Sequence, residues 1–155
     1  MINKFFQSFN QPTTNEHVSI DNDLYQLIYE IINADHEITS DEISLSSELL
    51  EFYFQIPKQK NDEEFNKLVE NQHFNTDLSQ NAMRLKTSLS YEQRMDVILI
   101  CWQVLMVDNN EDQLETSTVR TISTLLGLED KDFILIRNRV KYVKNLTYLR
   151  VQQTK

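Results

Sequence analysis

The sequence predicts an all-α domain of about seven helices, a bundle with an internal pseudo-twofold helix-corner-helix repeat, and three observations carry that prediction. A single Gly and two Pro in 155 residues leave little material for hairpins, left-handed turns or a glycine-rich phosphate loop, whereas helices need neither residue. A polar residue followed three positions later by Glu or Gln recurs five times just before a segment of helical periodicity: Thr39 with Glu42, Asn61 with Glu64, Asp77 with Gln80, Ser90 with Gln93, and Asp112 with Glu115. That spacing lets two orphan N–H groups at a helix start be satisfied reciprocally. At an offset of 73 residues, Ile32 matches Leu105, Asp35 matches Asp108, Glu42 matches Glu115 and Leu49 matches Ile122.

The elements follow in order. Ile2, Phe5, Phe6 and Phe9 sketch a short amphipathic helix, expected to dock on the protein's own core, since only Lys4 and the terminal amine offer charge to a membrane. With the polar stretch QPTTNEH it forms an N-terminal helix and linker over residues 1–20. Leu24, Leu27, Ile28, Ile31 and Ile32 then form an apolar stripe over residues 24–34, with Asp21 or Asp23 as its cap. The corner NADHEITSDE leads to the helix capped by Thr39, and two connecting helices follow near residues 62–75 and 78–89. Ser90 opens the helix containing VILICWQVL, the second corner MVDNNEDQLE follows, and Asp112 opens the next helix. The last helix starts near Lys131 with Phe133, Ile136, Val140 and Val143 on its inner face, and fraying is expected near Thr147. The main domain is therefore set at residues 21–145, with a basic tail over 146–155.

Charge narrows the function classes. A net charge of -9 excludes a general nucleic-acid binder, because phosphate affinity comes from Lys and Arg. The charge is segregated: nine acidic residues and no Lys or Arg lie between Asp21 and Glu51, while Lys131 to Lys155 hold seven basic residues against Asp132 alone. One end suits cations or basic partners and the other anions or acidic lipid; the competing reading is that the ends face each other or solvent. Cys101 is the single cysteine and sits in an apolar run, so neither a disulfide framework nor a cysteine-rich zinc site is available. No run reaches the length of a membrane span or resembles a signal peptide, and a cytoplasmic location is expected.

The acidic corners are the chemistry-bearing motif. An EF-hand is excluded, because its sixth position needs Gly and its twelfth a bidentate Glu, where this chain has Ser40 and Gln113, then Ser46 and Val119. Glu42 and Glu115 stand where a helix cap wants them. Asp35 and Asp108 sit at the unfavourable end of a helix dipole, so each calls for a bond to the next helix's N–H groups or a cation shared with neighbouring carboxylates. His17, His36 and His73 share no metal-ligand spacing, and no nucleophile-base pair accompanies the serines. Met95, Trp102 and Met106 read as core, and Tyr25, Tyr29, Phe52, Tyr53 and Phe54 as packing rather than a binding groove.

Residues 34–42, ADHEITSDE, together with SYEQRMDVILICWQVLMVDNNEDQLETSTVRTISTLLGLED over residues 90–130, resemble the TerB-like family of tellurite-resistance proteins over roughly residues 20–140. The departures are His36 and Asn109 where the family usually has Gly, and Val107 where it usually has Ala. The resemblance implies an all-α fold, no known catalytic activity, and an association with bacterial stress and tellurite-resistance systems. Its implied partner is a protein, membrane-associated stress proteins among the candidates, with no nucleic acid. It also implies divalent-cation binding at the corners, and the residues that match are Asp35, Glu42, Asp108 and Glu115; Glu30 matches a further acidic position, although Gln103 stands at its repeat. The first functional expectation is thus a non-enzymatic interaction or scaffold module, with no cofactor beyond weak Ca or Mg binding. The alternative is a metal-dependent hydrolase or auxiliary enzyme component centred on the acidic corners.

Overall fold

The structure is a computed structural model that describes the backbone of residues 14–34, 37–71, 77–107 and 113–153, and the side chains of 20–34, 37–71, 77–107 and 116–143. Seven helices and no strand occur among these residues: α1 Thr14–Ile32, α2 Ser40–Phe54, α3 Lys58–Glu70, α4 Leu78–Ser88, α5 Tyr91–Leu105, α6 Gln113–Leu125 and α7 Asp130–Gln153. The expected all-α class is the observed one. The segment carrying Ile2, Phe5, Phe6 and Phe9 lies outside the described residues.

Helices α1 and α5 form the centre. Leu24, Leu27, Ile28, Ile31 and Ile32 of α1 are all buried, as the apolar stripe requires. On α5 burial goes most of the way round, through Val97, Ile98, Ile100, Cys101, Trp102, Val104 and Leu105, which marks a helix enclosed by its neighbours. α1 packs on α3, α4, α5 and α6, while α5 packs on α2, α6 and α7. Trp102 and Met106 lie in the core as expected. Phe52 does not; it is 73% exposed.

Two capping boxes form as the spacing predicts. The Thr39 hydroxyl accepts from Glu42 N–H while the Glu42 carboxylate reaches back to Thr39 N–H, and Ser90 and Gln93 repeat the exchange. Asp77 stands at the start of α4 but makes no side-chain cap bond. Asn61 is a correction. α3 begins three residues earlier, at Lys58, whose N–H donates to Glu51 Oε2 at 2.7 Å; a carboxylate from the preceding helix serves as its cap. Asn61 is therefore inside the helix and fully buried.

The ends of the chain also differ from the expectation. α1 starts at Thr14 and runs unbroken across the 20/21 boundary, so Asp21 and Asp23 are interior helical residues, not caps. Asp21 pairs with Lys60 at 2.8 Å and Asp23 is buried against Arg84. α7 continues past Thr147 and across the 145/146 boundary to Gln153. Its inner face ends one turn early, because Phe133, Ile136 and Val140 are buried but Val143 is 59% exposed. α6 ends at the LLGL stretch, where Gly127 has φ 75°. Gly127 N–H bonds to Thr124 O at 3.0 Å and Leu128 N–H to Ser123 O at 3.1 Å, the paired bonds of a left-handed helix terminus that Gly adopts without a Cβ penalty.

Candidate functional site

The corners come first because the sequence points there. After α1, Asn33 N–H donates to Tyr29 O at 2.9 Å and Ala34 N–H to Ile31 O at 3.4 Å; after α5, Met106 N–H donates to Trp102 O at 3.1 Å and Val107 N–H to Val104 O at 3.2 Å. These are the same bonds 73 residues apart, and the bounding residues, Ile32 and Leu105, Ser40 and Gln113, keep that offset. Each first helix thus closes on the carbonyl of a residue with a buried aromatic ring, Tyr29 or Trp102.

Of the four candidate ligands, Glu42 is described in full. It is 5% exposed, and its Oε1 accepts from Thr39 N–H at 3.0 Å and from the Thr39 hydroxyl at 2.9 Å. Its own N–H donates to Thr39 Oγ1 at 3.2 Å, and its carbonyl accepts from the Ser46 hydroxyl at 2.7 Å. Asp35 and Asp108 lie outside the described residues; Glu115 is on α6, with its side chain outside them. Among the described residues no three His, Cys, Asp or Glu side chains converge on a point suited to a metal ion. Cys101 is buried, and burial pushes its thiol up to about 12, so it is not a nucleophile at neutral pH.

Other polar groups are brought together that sequence spacing does not signal. Asn61 joins three helices: its Oδ1 accepts from the Tyr25 hydroxyl at 2.7 Å, while Nδ2 donates to Ser47 O at 3.0 Å and Ile56 O at 2.9 Å. Burial first, then the charges of Asp21 and Glu64, hold the Tyr25 phenol well above its ordinary range. The Arg84 guanidinium grips Asp23 through Nε at 2.9 Å and NH2 at 2.7 Å, with a third bond to Asn81 Oδ1 at 2.7 Å. The bond to Asp23 raises the Arg84 pKa further. The Tyr91 hydroxyl donates to the Asp132 carboxylate and accepts from Glu129 N–H at 3.1 Å, tying the start of α5 to the start of α7. Arg94 NH1 donates to Leu126 O at 2.6 Å at the end of α6.

The sequence pattern of the family described as Tellurite resistance protein TerB matches residues 22–138, from the first turns of the apolar stripe of α1 to beyond the inner contacts Phe133 and Ile136 of α7. This chain belongs to the TerB family. Comparison with curated proteins found no match, and neither did comparison with solved structures. The TerB match takes in both corners, the connecting pair α3 and α4, and the Gly127 terminus. In this TerB chain the helix that follows the first corner opens on the Thr39–Glu42 capping box.

A second region is the outside of α7. This helix packs chiefly on α5, where Trp102 and Phe133 rings meet at 5.6 Å between centroids and Arg137 and Arg120 lie over them at 5.7 and 4.8 Å. Away from that contact α7 exposes Ile134, Leu135 and Tyr142, and Val143 is exposed where the inner spacing runs past the buried contacts. The spacing of Val143 with Phe133, Ile136 and Val140 predicts an inner position, yet it is exposed. The signal available was the apolar content on both sides of the helix, which one packing face cannot absorb. Among the described residues no helix is long and apolar enough to cross a membrane.

Proposed function

We propose that this chain is a non-enzymatic interaction module of the TerB family, acting in a bacterial stress response from the cytoplasm through its outward helix faces. The acidic corners serve it as scaffold, with at most weak divalent-cation binding. The observation that carries this reading is the outside of α7, where Leu135 at 49%, Tyr142 at 65% and Val143 at 59% exposure lie together with exposed Arg139. An apolar strip carrying an aromatic and an Arg has the composition of a protein-docking surface. Family membership supports the same reading, and membrane-associated stress proteins are the partner class it favours. The Thr39–Glu42 box supports the scaffold role of the first corner, since the carboxylate already answers the helix terminus.

The test is a photo-reactive side chain placed at Leu135 in living cells, with the same probe at exposed Gln59 on α3 as control. The expected result is a discrete cross-linked species larger than the chain from position 135 alone. Equal labelling from both positions, or none from either, would overturn the proposal.

A further inference from the structure

We infer that the outer face of α7 docks on the outer face of α2 of a second copy of this chain, an inference that rests on reading α7 as an interaction surface and names its partner. Residues 131–155 carry seven Lys and Arg against Asp132, a net +6, which leaves -15 on residues 1–130 of a chain whose total is -9. Within α7 itself, six Lys and Arg stand against Asp130 and Asp132, a net +4, so the helix with the exposed apolar strip is cationic and the body that carries it is strongly anionic. On α2, Asp41, Glu48 and Phe52 fall at helical spacing on one side and all three are exposed, Phe52 at 73%. Glu51, also exposed, is engaged by the α3 backbone. Lys58, the cation that feels Glu48 and Glu51, is held by Asp62 at 2.8 Å, so it does not cancel this acidic rim. The α2 face thus presents an aromatic anchor, Phe52, one turn after Glu48 and about three turns after Asp41, and the α7 face an aromatic and aliphatic strip with Arg139.

Sign selects the pairing. Two α7 faces repel each other, as do two α2 faces, while an α2 face against an α7 face joins opposite charges around apolar anchors. The same arithmetic disfavours an anionic membrane or a nucleic acid as the occupant, because α7 belongs to a body that is net -15 over residues 1–130. A contact between two different faces is heterologous, so each copy keeps one unused half of the pair.

Sedimentation velocity of the full chain at about 0.1 mM, the range of weak and transient contacts, tests this. Self-association is expected in roughly 50 mM salt and should weaken about tenfold in roughly 500 mM salt, as screening removes the charge term. Asp41→Lys with Glu48→Lys on α2, or Leu135→Glu with Tyr142→Glu on α7, should each reduce it by a similar factor; all four positions are exposed, and circular dichroism confirms that each variant is folded. An equimolar mixture of the two variants should recover association, since each supplies the face the other lacks. A chain that stays monomeric in low salt, an association indifferent to salt or to either variant, or preferential binding of the monomer to phosphatidylglycerol vesicles would each overturn the inference. A monomeric chain that still cross-links from position 135 to a different protein retires the second copy as partner while leaving the interaction-module reading intact.

Discussion

Replacing Asn61 separates two accounts of the same residue, a helix cap and a buried junction. As a cap, Asn61 would tolerate Ser or Asp, which serve equally well at a helix start, and Ala would cost about 1 kcal/mol. In the structure it is fully buried and makes three side-chain bonds, to the Tyr25 hydroxyl, Ser47 O and Ile56 O. Asn61→Ala strands the Tyr25 hydroxyl and the Ile56 carbonyl away from water, and each stranded group costs about 1–3 kcal/mol. Ser47 O lies within α2 and keeps its place in the helix ladder, so its loss counts for less. A total of about 3–4 kcal/mol follows, a large part of the roughly 5–15 kcal/mol that holds a domain of this size. Asn61→Asp should be at least as harmful at neutral pH, because a buried carboxylate would face two carbonyl oxygens. Tyr25→Phe should cost less than Asn61→Ala and show clear coupling to it in a double-mutant cycle. Urea unfolding followed by circular dichroism reads all of these. If Asn61→Ala and Asn61→Asp both fall within about 1 kcal/mol of wild type, the junction account is wrong.

Three further outcomes are expected. Arg84→Leu should cost about 1–3 kcal/mol, reduced from the fully buried case because Arg84 is half-exposed, and adding Asp23→Leu should recover part of it, since the harm lies in leaving Asp23 buried and unpaired; no recovery in the double variant would contradict this. Gly127→Ala should lower the thermal midpoint by an amount equivalent to about 1–2 kcal/mol, because φ is 75° and the new Cβ would meet Lys86 Cε at 2.8 Å; trimming Lys86 to Ala should relieve the collision but not the backbone strain. Asp96 is held above its ordinary value of 3.8 by burial first and by Glu92 second, so the folded state keeps a proton that the unfolded state releases. Stability should therefore fall as pH rises through the window just above 3.8, and Asp96→Asn should flatten that decline and raise stability at neutral pH. A steeper or unchanged profile would show that Asp96 is not so perturbed.

The helices were legible in the sequence wherever their signals are local. Thr39 with Glu42 and Ser90 with Gln93 close reciprocal bonds within four residues, so spacing alone announces them. Asn61 has the same spacing to Glu64 but a different fate, because Glu51 caps α3 three residues earlier and leaves Asn61 to bond across three helices. That choice depends on where α1 and α2 lie, which spacing does not encode. The Asp23–Arg84 pair spans 61 residues and is invisible for the same reason. The apolar stripe predicts a start of α1 near Leu24, because residues 14–19 carry no such stripe, yet they continue the helix. At the candidate site, the Thr39–Glu42 spacing announces the capping bonds, while the exposure of Val143 is not legible from spacing, because it continues the inner pattern one turn beyond the reach of α5.

Whether the acidic corners are scaffold or site is decided most directly by isothermal titration of the full chain with calcium and with magnesium, for wild type and for Glu42→Gln. Gln keeps the capping geometry, as Gln93 does on α5, but removes the charge a hard cation needs. The interaction-module account predicts binding no tighter than roughly millimolar, the same heats from the variant, and unchanged unfolding midpoints. Micromolar or tighter binding by the wild type, abolished in Glu42→Gln, would contradict it and make the corner a metal site.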